Sequence, residues 1–326
     1  MTGKYNIEIY NSTVHYFLTV QRNITVLQGN SASGKTELIR LMTEYNRSKE
    51  SSGITLLCEK VCTVLTAEDW QIRITGMKDR IIFIDEGNDF VKTREFAEVV
   101  SKSDNYFVII NRDSLKELPY SICEIYGLKE TSASKYKNAE RVYNEMFQLY
   151  TSYTEMDFQA DHIITEDSQS GFQFFNTAYP EITESARGNA NVLSCLRRAS
   201  EEDKTSLAIV DGAAFGANMA EIYEWLKWNP HNAIFAPESF EYLILISGIL
   251  DVQKTILEKT YNFADSCRYM SWEQFFTDYL TQITLDSNHP YKKSKLARFY
   301  ITKKNIKRIL QTLPPNLHII CEKELG

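Results

Sequence analysis

Residues 29–36 read GNSASGKT and fit G-x-x-x-x-G-K-[ST], a phosphate-binding loop. Its flanks constrain the fold. NITVLQ (23–28) is a β-branched, apolar run of strand character. TELIRLMTEY (36–45) places Leu38, Ile39, Leu41 and Met42 at helical spacing. A loop held between a strand and a helix N-terminus aims backbone N–H groups and the helix dipole at an anion. Gly29, Asn30, Ser31, Ala32, Ser33 and Gly34 would then wrap a triphosphate. Lys35 would reach its β- and γ-phosphates, and the Thr36 hydroxyl would ligate Mg²⁺. The competing reading is a glycine- and serine-rich surface turn, which the strand–loop–helix context disfavours.

A second element points the same way. In RIIFIDE (80–86), Ile81 to Ile84 are continuously apolar, as in a parallel strand buried on both faces. Asp85 and Glu86 follow at its carboxyl end, where open α/β sheets bind ligands. Asp85 would hold Mg²⁺ through water and Glu86 would polarise the attacking water. A strand ending in a solvated acidic turn is the alternative.

The chain has 326 residues, enough for two domains with separate cores. It is 43% apolar and 24% charged, the composition of a globular protein, and its net charge of −7 excludes a globally basic nucleic-acid coat. Cys58, Cys62, Cys123, Cys195, Cys267 and Cys321 are scattered, without the second pair or neighbouring histidine that would complete a zinc site after Cys58 and Cys62. They read as reduced, buried thiols of a cytoplasmic protein. No apolar signal core opens the chain, and FEYLILISGIL (240–250) is too short to span a bilayer. No membrane role is expected.

Residues 1–130 read as one α/β domain: strands at 5–11, 15–20, 23–28, 53–61, 80–86 and 105–111, with a helix at 92–102. Strands leading into GNSASGKTELIRLM resemble the start of ABC-type ATPases, including those fused to nucleases. The resemblance covers about a third of the chain and implies ATP and Mg²⁺ as cofactors. The chain lacks an LSGGQ-like signature, and 48 residues separate Thr36 from Asp85, too few for the helical subdomain of that family. Where the family carries a switch histidine, Asn111 and Arg112 stand here, either as γ-phosphate sensors or as an ordinary strand-to-loop turn. ATP binding with slow turnover is the expectation.

Residues 131–160 read as a polar connector with a helix around 136–150. A second α/β domain follows at 161–250. DHIITEDSQSG (161–171) is a strand ending at Glu166 and Asp167, RGNANVLSCLRR (187–198) a helix, and TSLAIVDGAAFG (205–216) a strand ending in Asp211. MAEIYEWLKW (219–228) is a helix, and NAIFAPESFEYLIL (232–245) a strand, a turn bearing Glu238 and an apolar helix. In order, these motifs resemble the Toprim domain of topoisomerases, bacterial primases and overcome-lysogenization-defect family nucleases. Glu166 matches the family glutamate, GNANV (188–192) the helix start and DGAAFG (211–216) the D-x-D-x-x-G motif, with Ala213 at its second aspartate. The resemblance implies Mg²⁺ held by Glu166 and Asp211, with Asp167 or Glu238 supplying the missing carboxylate, and cleavage of a nucleic-acid phosphodiester. Three readings stand: an active nuclease, a degenerate domain that binds without cutting, and an unrelated α/β domain with solvated acids at its strand ends.

The remainder, 251–326, reads as a helical extension. SWEQFFTDYLTQI (271–283) is amphipathic. Residues 292–308 then carry eight Lys/Arg and no acid. Lys292, Lys293, Lys295 and Arg298, interleaved with Tyr291, Phe299 and Tyr300, form either a phosphate-backbone site or a solvated basic face; a lysine here could also sit beside the metal. The expected whole is α/β: an N-terminal P-loop NTPase parallel sheet, a Toprim-like domain and a basic extension. It would act on nucleic acid, as a homo-oligomer or with a partner subunit, in phage defence or DNA processing. The alternatives are a non-cleaving nucleotide-regulated switch that recruits an effector, and a small-molecule kinase.

Overall fold

The computed structural model describes residues 1–29, 34–131, 141–154 and 156–320. The chain divides into two units, Met1–Leu149 with Lys259–Ser271, and Tyr150–Glu258 with Trp272–Gly326. Both are mixed helix and strand. No helix among the described residues is long and apolar enough to cross a membrane.

The first unit is built on strands β1 (Tyr5–Tyr10), β2 (Val14–Val20) and β3 (Ile24–Leu27), helix α1 (Lys35–Ser48), β4 (Thr55–Leu57), β5 (Val61–Leu65), α2 (Trp70–Thr75), β6 (Arg80–Ile84), α3 (Arg94–Val100), β7 (Asn105–Ile110), β8 (Ile125–Thr131) and β9 (Val142–Gln148). The strands form one nine-stranded sheet in the order β4-β1-β2-β9-β8-β3-β7-β6-β5. From β3 to β5 every pairing is parallel. These strands are short apolar runs with β7 buried along its whole length, as expected where both faces are covered. Beyond β8 the sheet is mixed: β8–β9, β1–β2 and β1–β4 are antiparallel, whereas β2–β9 and β3–β8 are parallel.

Two expectations are corrected here. The stretch 53–61 is not one strand. Thr55–Leu57 pairs with β1 at one edge of the sheet, and Val61–Leu65 pairs with β6 at the other. Only residues 58–60 join them, and a fully extended chain covers about 3.5 Å per residue, so the sheet must curl to bring its edges near each other. Helix α1 packs against both β1 and β5, with Leu38, Ile39, Leu41 and Met42 in the core. Second, Val142–Gln148 is not part of a connector helix. It is a strand between β2 and β8, and cross-strand pairing overrides its polar composition. Residues 136–140 of that expected helix lie outside the described residues.

The second unit contains β10 (Phe158–Ala160), β11 (His162–Thr165), α4 (Ser170–Ala178), β12 (Thr183–Ser185), α5 (Val192–Glu201), β13 (Ser206–Ile209), α6 (Gly216–Leu226), β14 (Asn232–Phe235), α7 (Phe240–Ile246), α8 (Lys254–Glu258), α9 (Trp272–Thr284), α10 (Lys303–Leu310) and β15 (Leu317–Ile319). A four-stranded sheet runs β12-β11-β13-β14 with every pairing parallel. Its three longer strands are wholly buried. β10 and β15 form a separate parallel pair. The segment 291–302 is not helical; in the basic stretch only Lys303–Leu310 is.

The cysteines are free where described, but only Cys62 is buried and Cys267 is exposed. The expectation of six buried thiols therefore fails for Cys267 and holds only in part for Cys58, Cys123 and Cys195, which are half-buried, and Cys321 lies outside the described residues.

Candidate functional sites

In the first unit, β3 delivers the chain to Gly29 and α1 leads it away from Gly34. Both glycines hold positive φ, +119° and +83°. A Cβ on Gly34 would lie 2.9 Å from the Tyr16 hydroxyl, which itself donates to the Gly34 carbonyl at 2.8 Å. That tyrosine fixes the entry to the helix, and no larger residue fits at this position. The N-cap residue Gly34 has no side chain with which to cap α1, and the first N–H groups of a helix have no acceptor within the helix. Lys35 is 6% exposed and donates to the Gly29 carbonyl at 2.8 Å, closing the loop ends together. Burial and then the nearby Arg112 lower its pKa, with Glu86 acting in the opposite sense. Thr36 is exposed. Asn30, Ser31, Ala32 and Ser33 lie outside the described residues.

One strand, β7, separates β3 from β6, so residues leaving all three arrive at one edge of the sheet. Asp85 follows β6 and accepts the Glu86 N–H at 2.8 Å; burial raises its pKa, opposed by that bond. Glu86 is paired with Arg112 at 2.7 Å. Asn111 follows β7. Its N–H donates to the Leu27 carbonyl at 3.3 Å, which places it beside the phosphate-loop strand. It is 7% exposed, and its Nδ2 has no protein partner. Asp85, Glu86, Asn111 and Arg112 share the wall of a cavity of about 230 Å³. The edge thus offers two cations, two carboxylates and one unused amide donor, a donor set that suits a phosphate with a divalent counter-ion.

In the second unit Glu166 follows β11, Asp211 follows β13 and Glu238 follows β14, all at one edge of the parallel sheet. The Asp211 N–H donates to Glu166 Oε2 at 2.9 Å, and Asp211 Oδ1 accepts the Phe240 N–H at 3.1 Å. Gly212 is required here: a Cβ would fall 2.5 Å from the Ala236 carbonyl oxygen. Glu166, Asp167 and Asp211 line a cavity of about 20 Å³, room for one water or ion. Burial pushes the Glu166 carboxyl up to about 7. Burial, and after it the charges of Glu273, Glu166 and Glu241, raise Asp211 well above the usual carboxylate range. Glu238 does not line this cavity. Its carbonyl accepts the Ala213 N–H at 3.1 Å.

Two acids that the motif reading passed over complete this cluster. Glu241, in the first turn of α7, is fully buried, and Glu273 lies in the first turn of α9. The Tyr291 hydroxyl donates to Glu241 Oε1 at 2.5 Å and shares a hydrogen bond with the Ser170 hydroxyl at 2.8 Å. Lys293 pairs with Glu273 at 2.6 Å and stands 3.9 Å from Glu241. Burial opposes its charge, but Glu241, Glu273 and Asp211 outweigh burial and raise its pKa. Lys293 is therefore the internal counter-ion of the acids, whereas Lys292, Lys295 and Arg298 are exposed. The signal for Glu241 was a lone acid in the otherwise apolar FEYLILI; such a residue is buried only with partners.

Among the described residues, the one group of three donors within 4.8 Å of each other is Asp104, Asp265 and Cys267, in the first unit. The Met1 ammonium already pairs with both of its aspartates. Glu166, Asp211 and Glu238 do not form such a group.

No family model, no curated protein and no solved structure matches this chain.

Proposed function

We propose that the first unit binds ATP with Mg²⁺ and hydrolyses it slowly, and that the second is a Toprim-like domain that acts on nucleic-acid phosphodiesters. The observation that carries the first half is the arrival of Gly34, Lys35, Asp85, Asn111 and Arg112 at one sheet edge, with the Asn111 amide unpaired. Gly34 and the first turn of α1 would present backbone donors to phosphate oxygens. Lys35 would give up its bond to Gly29 for the phosphates, and Thr36 and Asp85 would hold Mg²⁺. Bound Mg²⁺ would neutralise charge developing on the β- and γ-phosphate oxygens. Asn111 donates to the terminal phosphate through Nδ2. Glu86 orients the attacking water once Arg112 turns from it to phosphate, so the Glu86–Arg112 pair must open before the water can be oriented.

In the second unit Glu166 and Asp211 fit a single cation, given a cavity of ion size and two desolvated carboxylates. A cation bound there would activate water and stabilise the leaving oxygen. Lys293, released from Glu273, would neutralise phosphoryl charge, and exposed Lys292, Lys295 and Arg298 would draw in the backbone. The experiment is a cleavage assay on DNA and RNA with ATP and Mg²⁺ or Mn²⁺. Wild type is expected to nick or cut, Glu166→Ala and Asp211→Ala to lose cutting while retaining binding. If no substrate is cut, the alternative takes its place: a nucleotide-regulated switch, or an assembly subunit that recruits an effector. Two observations favour that alternative, the alanine at position 213 and the Lys293 charge already spent on the acids.

A further inference from the structure

The crossing between the two edges of the first sheet is flanked by two thiols. Cys58 directly follows β4, Cys62 is the second residue of β5, and a bend at 59–60 lies between them. Cys62 is 3% exposed and held in place, its carbonyl accepting Asn46 Nδ2 from α1 at 3.1 Å. Cys58 packs against the same core cluster but is only half-buried, so small solutes reach it. Both thiols are free.

The two sulfurs close on one residue. The Lys60 N–H donates to Cys58 Sγ at 3.4 Å, and Cys62 Sγ donates to the Lys60 carbonyl at 3.7 Å. The Cys62 thiol is also hydrogen-bonded to the Cys58 sulfur. That bond, against burial and with help from the Lys60 N–H, brings the Cys58 thiol down to about 7; the Glu59 charge opposes this and the Lys60 charge supports it. The Lys60 ammonium itself pairs with Asp79 at 2.6 Å and stands 5.3 Å over the Tyr5 ring. The same sulfur–sulfur bond, and then burial, raise Cys62, which keeps its proton. Cys195 and Cys267 are raised as well, in each case first by burial. Exposure alone therefore does not make a thiolate here, since Cys267 is the exposed cysteine. An accessible thiolate backed by a protonated thiol is the arrangement of a reactive cysteine and its resolving partner.

We propose that Cys58 and Cys62 form a hydroperoxide-reactive dithiol that closes to a disulfide. The Cys58 sulfur attacks the terminal oxygen of a hydroperoxide and the O–O bond breaks. Cys58 becomes a sulfenic acid, and the other oxygen leaves as an alcohol, or as water from hydrogen peroxide, carrying the thiol proton. The Cys62 sulfur then attacks the Cys58 sulfur and expels its hydroxyl, which departs as water with the Cys62 proton. The two thiols have then lost two hydrogens with their electrons, and the hydroperoxide has been reduced to an alcohol and water. A half-buried sulfur favours such a small oxidant over the disulfide of another protein. The reaction needs neither nucleotide nor metal and is independent of the sites described above.

The test is treatment of the reduced full chain with hydrogen peroxide under native conditions, followed by thiol counting and peptide mapping by mass spectrometry. Wild type is expected to lose two thiols and gain one bridge between Cys58 and Cys62, lighter by two hydrogens and reopened by dithiothreitol. Cys62→Ser is expected to stop at the Cys58 sulfenic acid, captured by dimedone. Cys267→Ser is expected to close the bridge as wild type does. Alkylation of untreated wild type by iodoacetamide near neutral pH needs no variant, so the proposal stays testable if Cys62→Ser folds poorly. There Cys58 is expected to react about fivefold faster than Cys267, because its larger thiolate fraction outweighs its lower intrinsic nucleophilicity. Absence of a Cys58–Cys62 bridge in peroxide-treated wild type overturns the proposal. So does a bridge between copies of the chain in its place, or faster alkylation at Cys267.

Discussion

The two units each gather acids at the carboxyl edge of parallel strands, but they balance those acids differently. In the first, Asp85 and Glu86 stand half-open to solvent opposite Lys35 and Arg112, within reach of an arriving phosphate. In the second, Glu166 and Asp211 are desolvated, Glu241 is sealed, and the counter-charge comes from Lys293, 127 positions along the chain from Glu166. An open edge can exchange ions with solvent at little cost. A closed one must either keep its carboxyls protonated or carry its own cation. The first site is therefore suited to binding and release of an anionic ligand, and the second to holding one small cation.

The largest effect expected from this contrast concerns Lys293. Lys293→Met leaves Glu241, Glu273 and Asp211 without their counter-ion. Removing one partner of a buried pair costs about 3–5 kcal/mol, and this pair is about a quarter exposed, so about 3 kcal/mol is expected from chemical denaturation. Neutralising Lys292, Lys295 and Arg298 together should change stability by less than about 0.5 kcal/mol, as surface substitutions do. The same triple variant should bind nucleic acid more weakly, with a shallower salt dependence. Equal stability losses in the two variants would erase the distinction between internal and external lysines.

Next is the open edge. Glu86→Gln should keep ATP affinity and lose turnover by about 10²-fold or more, as removal of a catalytic base does. Turnover that survives this substitution would place water activation on another group.

The most gradual effect, spread over a pH range, is a pH dependence of the closed site. Glu166 has its carboxyl raised from an ordinary 4.5 to about 7 by burial, so the folded protein binds a proton that the unfolded chain has released. The associated stability is present below about 4.5 and is lost as pH rises through about 7, by at most about 3 kcal/mol. Thermal melts between pH 5 and 8 should show this loss, and Glu166→Gln should flatten it. Mn²⁺ should restore the wild-type melting temperature more at pH 8 than at pH 6. A melting temperature independent of both pH and Mn²⁺ would mean that the carboxylate is not desolvated.

How much of this was legible in the sequence follows from the same contrast. The loop at 29–36 and the acids at 85–86 are contiguous signals, each flanked by its own strand pattern, and the strands β3, β6 and β7 lie where those patterns put them. Glu166 and Asp211 were found because each ends an apolar run. What the sequence hid depends on long-range pairing. Residues 53–61 look like one strand and serve two edges of a curled sheet. Val142–Gln148 is polar enough to read as a linker and is held in the sheet by β2 and β8. Lys293 looks like its neighbours Lys292 and Lys295, and only the fold turns it toward Glu273.

The central claim is that the edge formed by Gly34, Lys35, Asp85 and Asn111 is a nucleotide site. Calorimetric titration of Mg²⁺–ATP into wild type and Lys35→Ala, with circular dichroism to confirm that both are folded, tests it most directly. The account predicts saturable 1:1 binding by wild type and loss of binding by about 100-fold or more, equivalent to about 2.7 kcal/mol, in the variant. Unchanged ATP affinity in folded Lys35→Ala, or no binding by wild type, would contradict it.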